Sequence, residues 1–168
     1  MAATIRPARR TDAEAILSLI RDLAEYEKMA DQAKLSCSEL EDHLFGSDPW
    51  VEANVACIPA SDDNEVVVGF VIYFFMFDPI TLERVAYMED LYVRPEHRRK
   101  GIGLALWKSV AVRGLEKKCD VLNWSVLDWN EPSIQFYVKQ GATNISLTKG
   151  YQRLRFTADV IDKLLSGE

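Results

Sequence analysis

The chain has 168 residues, of which 48% are hydrophobic and 27% are charged, with no low-complexity tract. This length and composition are typical of a single globular domain, which we predict to span residues 1–168. The net charge of −6 argues against nucleic acid as the main partner and is compatible with cationic ligands.

The cysteines, the histidines and the apolar segments bear on disulfides, metal binding and membrane insertion. The sequence has three widely spaced cysteines: Cys37, Cys57 and Cys119. They form no Cys-x-x-Cys pair, which argues against a disulfide framework and indicates a reducing compartment. His43 and His97 do not lie at metal-ligand spacing, so we expect no metal. The longest apolar run, residues 66–77, is too short to span a bilayer, and the N-terminus lacks an apolar segment of signal-peptide length. We therefore expect a cytoplasmic protein.

The first elements in chain order are a strand and two helices. Residues 4–8 read as a strand, and the capping-box pattern at residues 11–14 predicts an amphipathic helix that ends near Met29. A second capping box at residues 36–39 predicts a short helix that ends at Gly46.

A β-meander is predicted next, with strands over residues 51–58, 65–77 and 84–93 and a polar turn at residues 61–64. The unbroken apolarity of residues 65–77 indicates a central strand that is buried on both faces. The following helix begins at the glycine pair 101–103. Its predicted core stripe is Leu104, Trp107, Ala111 and Leu115.

The last part of the chain alternates strands with helices. The predicted elements are a strand over 121–127, a helix from Asn130 through Gln140, strands over 143–147 and 151–156, and a short helix capped by Thr157. The order of all these elements describes an α/β (α+β) fold with a mixed sheet flanked by helices.

The most informative segment joins strand 84–93 to the next helix. Three cations, Arg98, Arg99 and Lys100, precede Gly101 and Gly103. The first amides of a helix lack intrahelical partners and lie at the positive end of its dipole, so glycines there allow the backbone to enclose a pyrophosphate. A dinucleotide-binding fingerprint would need a third glycine at position 106, which is leucine, and no Gly-Lys-Ser/Thr of a Walker loop follows.

The spacing Arg98-x-x-Gly101-x-Gly103 between a strand and a helix resembles the acetyl-CoA signature of the GNAT superfamily. The resemblance implies the GNAT acyl-CoA N-acyltransferase fold: a central, mostly antiparallel sheet with a splayed strand pair, flanked by helices. It also implies a bulged strand before the loop, whose free backbone binds pantetheine as an added strand does. The coenzyme-binding positions that it implies here are Leu91, Tyr92, Val93, Arg98, Arg99, Lys100, Gly101, Ile102, Gly103 and Leu104.

Further segments narrow the resemblance over nearly the whole chain. They are residues 20–28 (IRDLAEYEK), 87–93 (YMEDLYV), 127–133 (LDWNEPS) and Phe136-Tyr137 followed by Gly141-Ala142. Together they are similar to the diamine (spermidine/spermine) N1-acetyltransferase family, and VLDWN at 126–130 favours its thialysine Nε-acetyltransferase branch. The chain departs from the family at Tyr151, where a tryptophan is common, so the choice of amine stays open.

The expected chemistry requires removal of a proton. An alkylammonium with a pKa near ~10.4 must lose it before attack, a cost of about 4–5 kcal/mol at neutral pH. A carboxylate can hold the ammonium and accept this proton. Glu89 and Asp90 lie on the strand before the loop, and because strand residues alternate, only one of them should point into the cleft. The resemblance selects Glu89 as the general base, with Asp90 secondary.

The resemblance implies the remaining roles. Tyr137 matches the family's general acid, which protonates the departing sulfur and lies beside the coenzyme. Asn130 is either a helix N-cap or a contact to coenzyme A, and Pro132 and Ser133 belong to the same coenzyme-binding segment. Two residues at the end of the first helix, Tyr26 and Glu27, would bind the distal part of the amine, together with Glu89 and Asp90. A homodimer is also implied.

Two alternatives remain open. A GNAT enzyme that acetylates protein lysines or N-termini would need an open peptide groove, whereas the acidic residues at 25, 27, 89 and 90 suit a small cation. A non-catalytic coenzyme A-binding module would not need both Glu89 and Tyr137. Nucleic-acid binding through residues 94–100 is excluded by the overall charge and by the compactness of the basic cluster.

Overall fold

The computed structural model describes residues 3–60 and 64–166. Within these ranges it has five β-strands and six α-helices. The strands are β1 (Thr4–Pro7), β2 (Glu52–Pro59), β3 (Glu65–Asp78), β4 (Glu83–Val93) and β5 (Val121–Trp124). The helices are α1 (Ala13–Tyr26), α2 (Cys37–Phe45), α3 (Ile102–Glu116), α4 (Glu131–Lys139), α5 (Ile145–Lys149) and α6 (Ala158–Ser166).

The sheet has the strand order β1-β2-β3-β4-β5. Its first four strands pair antiparallel, and β4 pairs parallel with β5. The predicted mixed, mostly antiparallel sheet with flanking helices is therefore confirmed. β3 pairs with a neighbour on each side and its residues 67–73 are buried, as its apolar sequence indicated.

Helices cover both faces of this sheet. Phe70 is fully buried in the same cluster as Ile16 and Leu19 of α1. The neighbouring Gly69 faces the other side, where a Cβ atom would lie 3.3 Å from Leu106 of α3. Complete burial of a side chain such as Phe70 contributes about 2–3 kcal/mol, so these two layers supply much of the driving force for folding.

The chain forms two compact units, Met1–Ser125 and Val126–Glu168. The first contains the sheet with α1, α2 and α3. The second contains α4, α5 and α6 and has no strand among its described residues. Across both, no described helix combines the length and the apolarity that a membrane crossing requires.

One of the two predicted capping boxes forms. At α2, the amide of Glu39 donates to Ser36 Oγ at 3.3 Å, and the amide of Ser36 donates to the Glu39 carboxylate at 2.9 Å. The box predicted at residues 11–14 is wrong, because Asp12 accepts instead from the Arg9 amide at 2.7 Å and from the Arg6 guanidinium at 2.7 Å. A 3-10 turn at Arg10–Asp12 follows from these contacts, and α1 begins only at Ala13 and ends at Tyr26 rather than near Met29.

The predicted core stripe of α3 is also wrong. Leu115 is 74% exposed, and the buried row of α3 is Ile102, Leu106, Val110 and Gly114. The helix has apolar residues on several faces, so periodicity alone does not select one. Gly114 explains which face packs on the sheet. A Cβ at this position would lie 3.3 Å from Cβ of Ala86, so only a face with glycine here can approach β4 so closely.

The largest differences between the predicted and the observed elements lie towards the end of the chain. The strand predicted over 121–127 is shorter and stops at Trp124. The strand predicted over 143–147 is wrong, because α5 forms there instead. The side chain of Asn144 caps this helix by accepting from the Leu147 amide at 3.2 Å, and Gly150, with a φ of 68°, ends it. Residues 151–156 form no strand, because among the described residues no neighbouring strand pairs with them. The helix after Thr157 forms as predicted, whereas most of the turn predicted at 61–64 lies outside the described residues.

Candidate active site

A β-bulge interrupts β4 at Glu89. Ile72 of β3 pairs with Asp90, and the next β3 residue, Tyr73, pairs with Met88, so Glu89 is the additional residue. Paired residues share a face, and Ile72 and Tyr73 face opposite sides of the sheet. Met88 and Asp90 therefore also lie on opposite faces although they are two residues apart. The implied bulge is confirmed, and the simple alternation from which only one of Glu89 and Asp90 was expected to face the cleft does not hold here.

The two parallel strands separate at the same place. β5 pairs with residues 85–88 of β4, and its last pair joins Met88 to Trp124. Beyond it, no described strand pairs with residues 89–93 on the β5 side. The implied splayed pair is thus confirmed. An unpaired strand edge offers backbone N–H and C=O groups to an extended ligand, as in strand addition.

The loop after β4 leads into the N-terminus of α3. Gly101 has a φ of 80° and no heavy atom within 4 Å of the position that a Cβ would take. The first hydrogen bond of α3 runs from the Ala105 amide to the Gly101 carbonyl at 3.0 Å. The amides of residues 102–104 consequently have no acceptor within the helix, and they lie at its positive end. This arrangement fits a pyrophosphate.

The structure places the three predicted phosphate-binding cations differently from one another. The Arg98 guanidinium lies over two rings, 5.4 Å from the centroid of Tyr26 and 5.2 Å from that of Tyr92. Its Nε also donates to the Val93 carbonyl at 2.8 Å. Lys100 Nζ donates to the Glu96 carbonyl at 2.9 Å, and Arg99 is exposed. Arg98 therefore joins the end of α1 to β4 and to the loop, a contact that its position in the motif did not predict.

A partly buried carboxylate, Asp90, lies beside the bulge and is affected by two neighbouring acids. Burial, followed by the charges of Glu89 and Glu27, raises the pKa of Asp90 to about 6. Burial also raises the pKa of Glu27, which directly follows α1. A half-buried carboxylate next to other negative charges is unstable as an anion, and a bound cation relieves this. The first unit therefore brings Glu27, Glu89 and Asp90 together. The rise in pKa falls on Asp90, which the sequence analysis made secondary to Glu89.

The second unit holds the remaining predicted residues on α4. Asn130 is only 6% exposed and occupies the N-cap position, but its side chain makes no capping hydrogen bond. Its carbonyl accepts from the Ser133 amide at 3.1 Å, while Pro132 is exposed. Burial raises the pKa of Tyr137 to about 12, which keeps its phenol protonated across the physiological range.

In the first unit, a cavity of about 500 Å³ that the sequence did not reveal lies where β1 and β2 meet α2 and α3. Its polar lining includes Glu52, which accepts from Arg113 Nε at 2.7 Å and from the Tyr73 hydroxyl at 3.3 Å. Asn54 Nδ2 donates to Ser109 Oγ at 2.8 Å in the same lining. These polar groups satisfy one another, so we assign them a structural role.

The separated strand pair and the glycine loop at a helix terminus define an acyltransferase that takes its acyl group from a coenzyme A thioester. More particularly, the chain belongs to the acetyltransferase (GNAT) family, whose sequence model matches residues 18–142.

Individual relatives agree with this assignment. The chain is 37% identical over 163 residues to the thialysine N-epsilon-acetyltransferase of Sus scrofa, and the match covers 95% of each chain. It is 31% identical over 157 residues to the human spermidine/spermine N(1)-acetyltransferase-like protein 1, covering 92% of this chain and 22% of that protein. An integron cassette protein from the mobile metagenome of V. cholerae is 28% identical, with a TM-score of 0.75 and 98% of both chains covered. The protein is thus an N-acetyltransferase, and its resemblance to the thialysine branch is confirmed.

Proposed function

We propose that the protein transfers the acetyl group of acetyl-CoA directly to the primary amine of a small cation. The substrate is a diamine or polyamine, or a lysine-like amino acid such as thialysine. The observation that carries this proposal is the position of Asp90, which is half-buried at the bulge with Glu27 and Glu89 nearby, where β4 parts from β5. A site that destabilises its own carboxylate anion favours a ligand that brings positive charge.

The coenzyme would bind to the loop and to the free edge of β4. We assign the diphosphate to the amides of residues 102–104, with charge supplied by Arg99 and the neighbouring cations. Pantetheine would pair with residues 91–93. By resemblance to the family, Asn130, Pro132 and Ser133 are further proposed contacts to coenzyme A.

Deprotonation of the amine is assigned to two acids with different roles. Glu89 is exposed and therefore able to pass a proton to water, so it acts as the general base. Asp90 and Glu27 hold the ammonium group and the distal part of the substrate, with Tyr26 beside them. The amine nitrogen then forms a bond to the acetyl carbon, the carbon–sulfur bond breaks, and the thiolate of coenzyme A leaves.

Tyr137 would stabilise that leaving thiolate. Its pKa of about 12 lies above the ~8.5 of an ordinary thiol, so complete proton transfer to a free thiolate would cost about 5 kcal/mol. Donation of a hydrogen bond to the sulfur as charge develops does not carry this cost. We therefore assign Tyr137 to hydrogen-bond donation to the sulfur during bond cleavage, and the released thiolate takes its proton from solvent.

We also propose one functional domain, a homodimer and a cytoplasmic location. The family match runs from residue 18 to residue 142 and so crosses the boundary between the two compact units, which supports a single domain. Exposed apolar side chains in the second unit, including Leu147, Leu154 and Phe156, support coverage by a second copy. Three free cysteines agree with a reducing compartment.

The test is a thiol-release assay with acetyl-CoA across spermidine, spermine, thialysine, lysine and short peptides. We expect free amines of low molecular mass to support turnover. Tyr137→Phe and Glu89→Gln should each lower kcat about 100-fold, whereas Asp42→Asn, an exposed change on α2, should have no effect. Preference for peptides would favour the protein-acetylating alternative. Tight binding of coenzyme A without thiol release from any amine would favour the binding module.

A further inference from the structure

Two tryptophans meet where the separated strands come together. Trp124 is the last residue of β5, and its pairing with Met88 is the last parallel pair before the opening. Trp107 of α3 packs against it edge to face, with ring centroids 6.2 Å apart and an interplanar angle of 86°. The closed end of the opening is therefore bounded by two large aromatic rings.

The position of Trp107 along α3 relates this contact to the loop. Gly103 and Trp107 are four residues apart and so lie on the same face of the helix. A Cβ on Gly103 would lie 3.8 Å from Cδ2 of Leu91, a β4 residue that pairs with β3 but has no partner on the β5 side. This row of α3 thus runs along the opening, from Leu91 near the loop to Trp124 at the closed end.

A coenzyme A thioester bound as proposed would follow the same course. An extended ligand that starts at the amides of residues 102–104 and runs along β4 from Val93 reaches Met88 after about 17 Å, at 3.3 Å per residue. Its acyl end then arrives beside the pair of indole rings. Both indole rings are partly buried there, and Trp107 Nε1 is shielded from solvent with no hydrogen-bond partner among the described residues.

From this geometry we propose that Trp107 and Trp124 form a wall that restricts the transferred group to acetyl. The inference rests on the proposed binding of the coenzyme in the opening between β4 and β5. Bond changes are the same for any acyl group, with one N–C bond formed and one C–S bond broken, so selection depends on the space left for further methylene groups. One additional methylene in a closed apolar pocket typically changes kcat/KM by about 10- to 200-fold.

The experiment compares acetyl-CoA, propionyl-CoA and butyryl-CoA with a single good amine. We expect Trp107→Leu and Trp124→Leu each to raise the ratio of kcat/KM for butyryl-CoA to that for acetyl-CoA at least about 10-fold. Trp50→Leu is the matched control, since Trp50 is 77% exposed in the same unit, and its ratio should equal that of the wild type. Should either leucine variant fail to fold, Trp107→Phe and Trp124→Phe should give a smaller increase in the same direction.

The outcomes separate the two proposals. Folded variants that still use acetyl-CoA but keep the wild-type ratio would overturn the tryptophan wall and leave the proposed function intact. An equal increase in Trp50→Leu would also overturn it, because the effect would not depend on the opening. A wild-type protein that releases no thiol from any of the three thioesters would overturn the proposed function, and the wall with it.

Discussion

Replacement of Asp90 by asparagine should stabilise the protein while impairing its reaction. In the folded chain burial raises the pKa of this carboxyl from 3.8 to about 6. A carboxyl whose pKa is higher in the folded than in the unfolded chain opposes folding when it is ionised. The opposition is absent below pH 3.8, develops as the pH rises and is complete above pH 6.

The size of the effect follows from the same two values. The difference between 3.8 and about 6 corresponds to about 3 kcal/mol at pH 7 and above, and to about 0.5 kcal/mol at pH 4. Asparagine has nearly the same shape and no charge, so the stability that the variant gains over wild type should grow with pH between these limits. Loss of a charged partner for the ammonium should at the same time raise the KM for the amine about 10- to 100-fold.

Urea unfolding at pH 4, 5, 6 and 7.5 measures the first effect, and initial rates with varied amine measure the second. Asp42→Asn, on the exposed face of α2, is the matched control and should show no pH-dependent gain. A stability difference that stays constant with pH would refute the reasoning, because Asp90 would then not be strained as an anion. Wild-type activity should in addition decline as the pH falls through about 6, where Asp90 becomes protonated.

Three further changes probe other parts of the molecule. Arg98→Gln should raise the KM for both the coenzyme and the amine, since Arg98 contacts both the loop and Tyr26, whereas Arg99→Gln should affect the coenzyme alone; initial rates with each substrate varied distinguish them. Gly69→Ala should destabilise the fold by about 1–3 kcal/mol in urea unfolding, because its Cβ would lie 2.8 Å from a carbonyl oxygen of β4. Leu154→Glu should convert a dimer to a monomer in light scattering, since Leu154 is 88% exposed in a row of apolar side chains; an unchanged mass would contradict this.

Local chemistry in the sequence was enough to predict the glycine turn at the start of α3 and most of the sheet. Gly101 has the positive φ that only glycine adopts readily, and its spacing from Gly103 is fixed by the start of α3. The long apolar run of β3 leaves little choice except a central strand. These signals depend on neighbours in the sequence, which is why they could be read without the structure.

Features that depend on distant neighbours could not be predicted. Residues 151–156 are predicted as a strand, but a strand requires another strand to accept its hydrogen bonds, and none pairs with them in the described chain. The position of the bulge at Glu89 is visible only in the register between β3 and β4, so simple alternation cannot give the faces of Glu89 and Asp90. The position of Arg98 between Tyr26 and Tyr92 likewise depends on α1 packing against the sheet.

The stacked guanidinium has a thermodynamic consequence. Arg98 lies in the glycine loop and contacts both the end of α1 and β4, so a displacement at one of these can reach the others. If coenzyme binding restrains the loop and thereby Tyr26, the affinity for the amine increases. Because linkage is reciprocal, amine binding then increases the affinity for the coenzyme by the same factor. Cooperation between the two substrates would then depend on one side chain rather than on a moving lid.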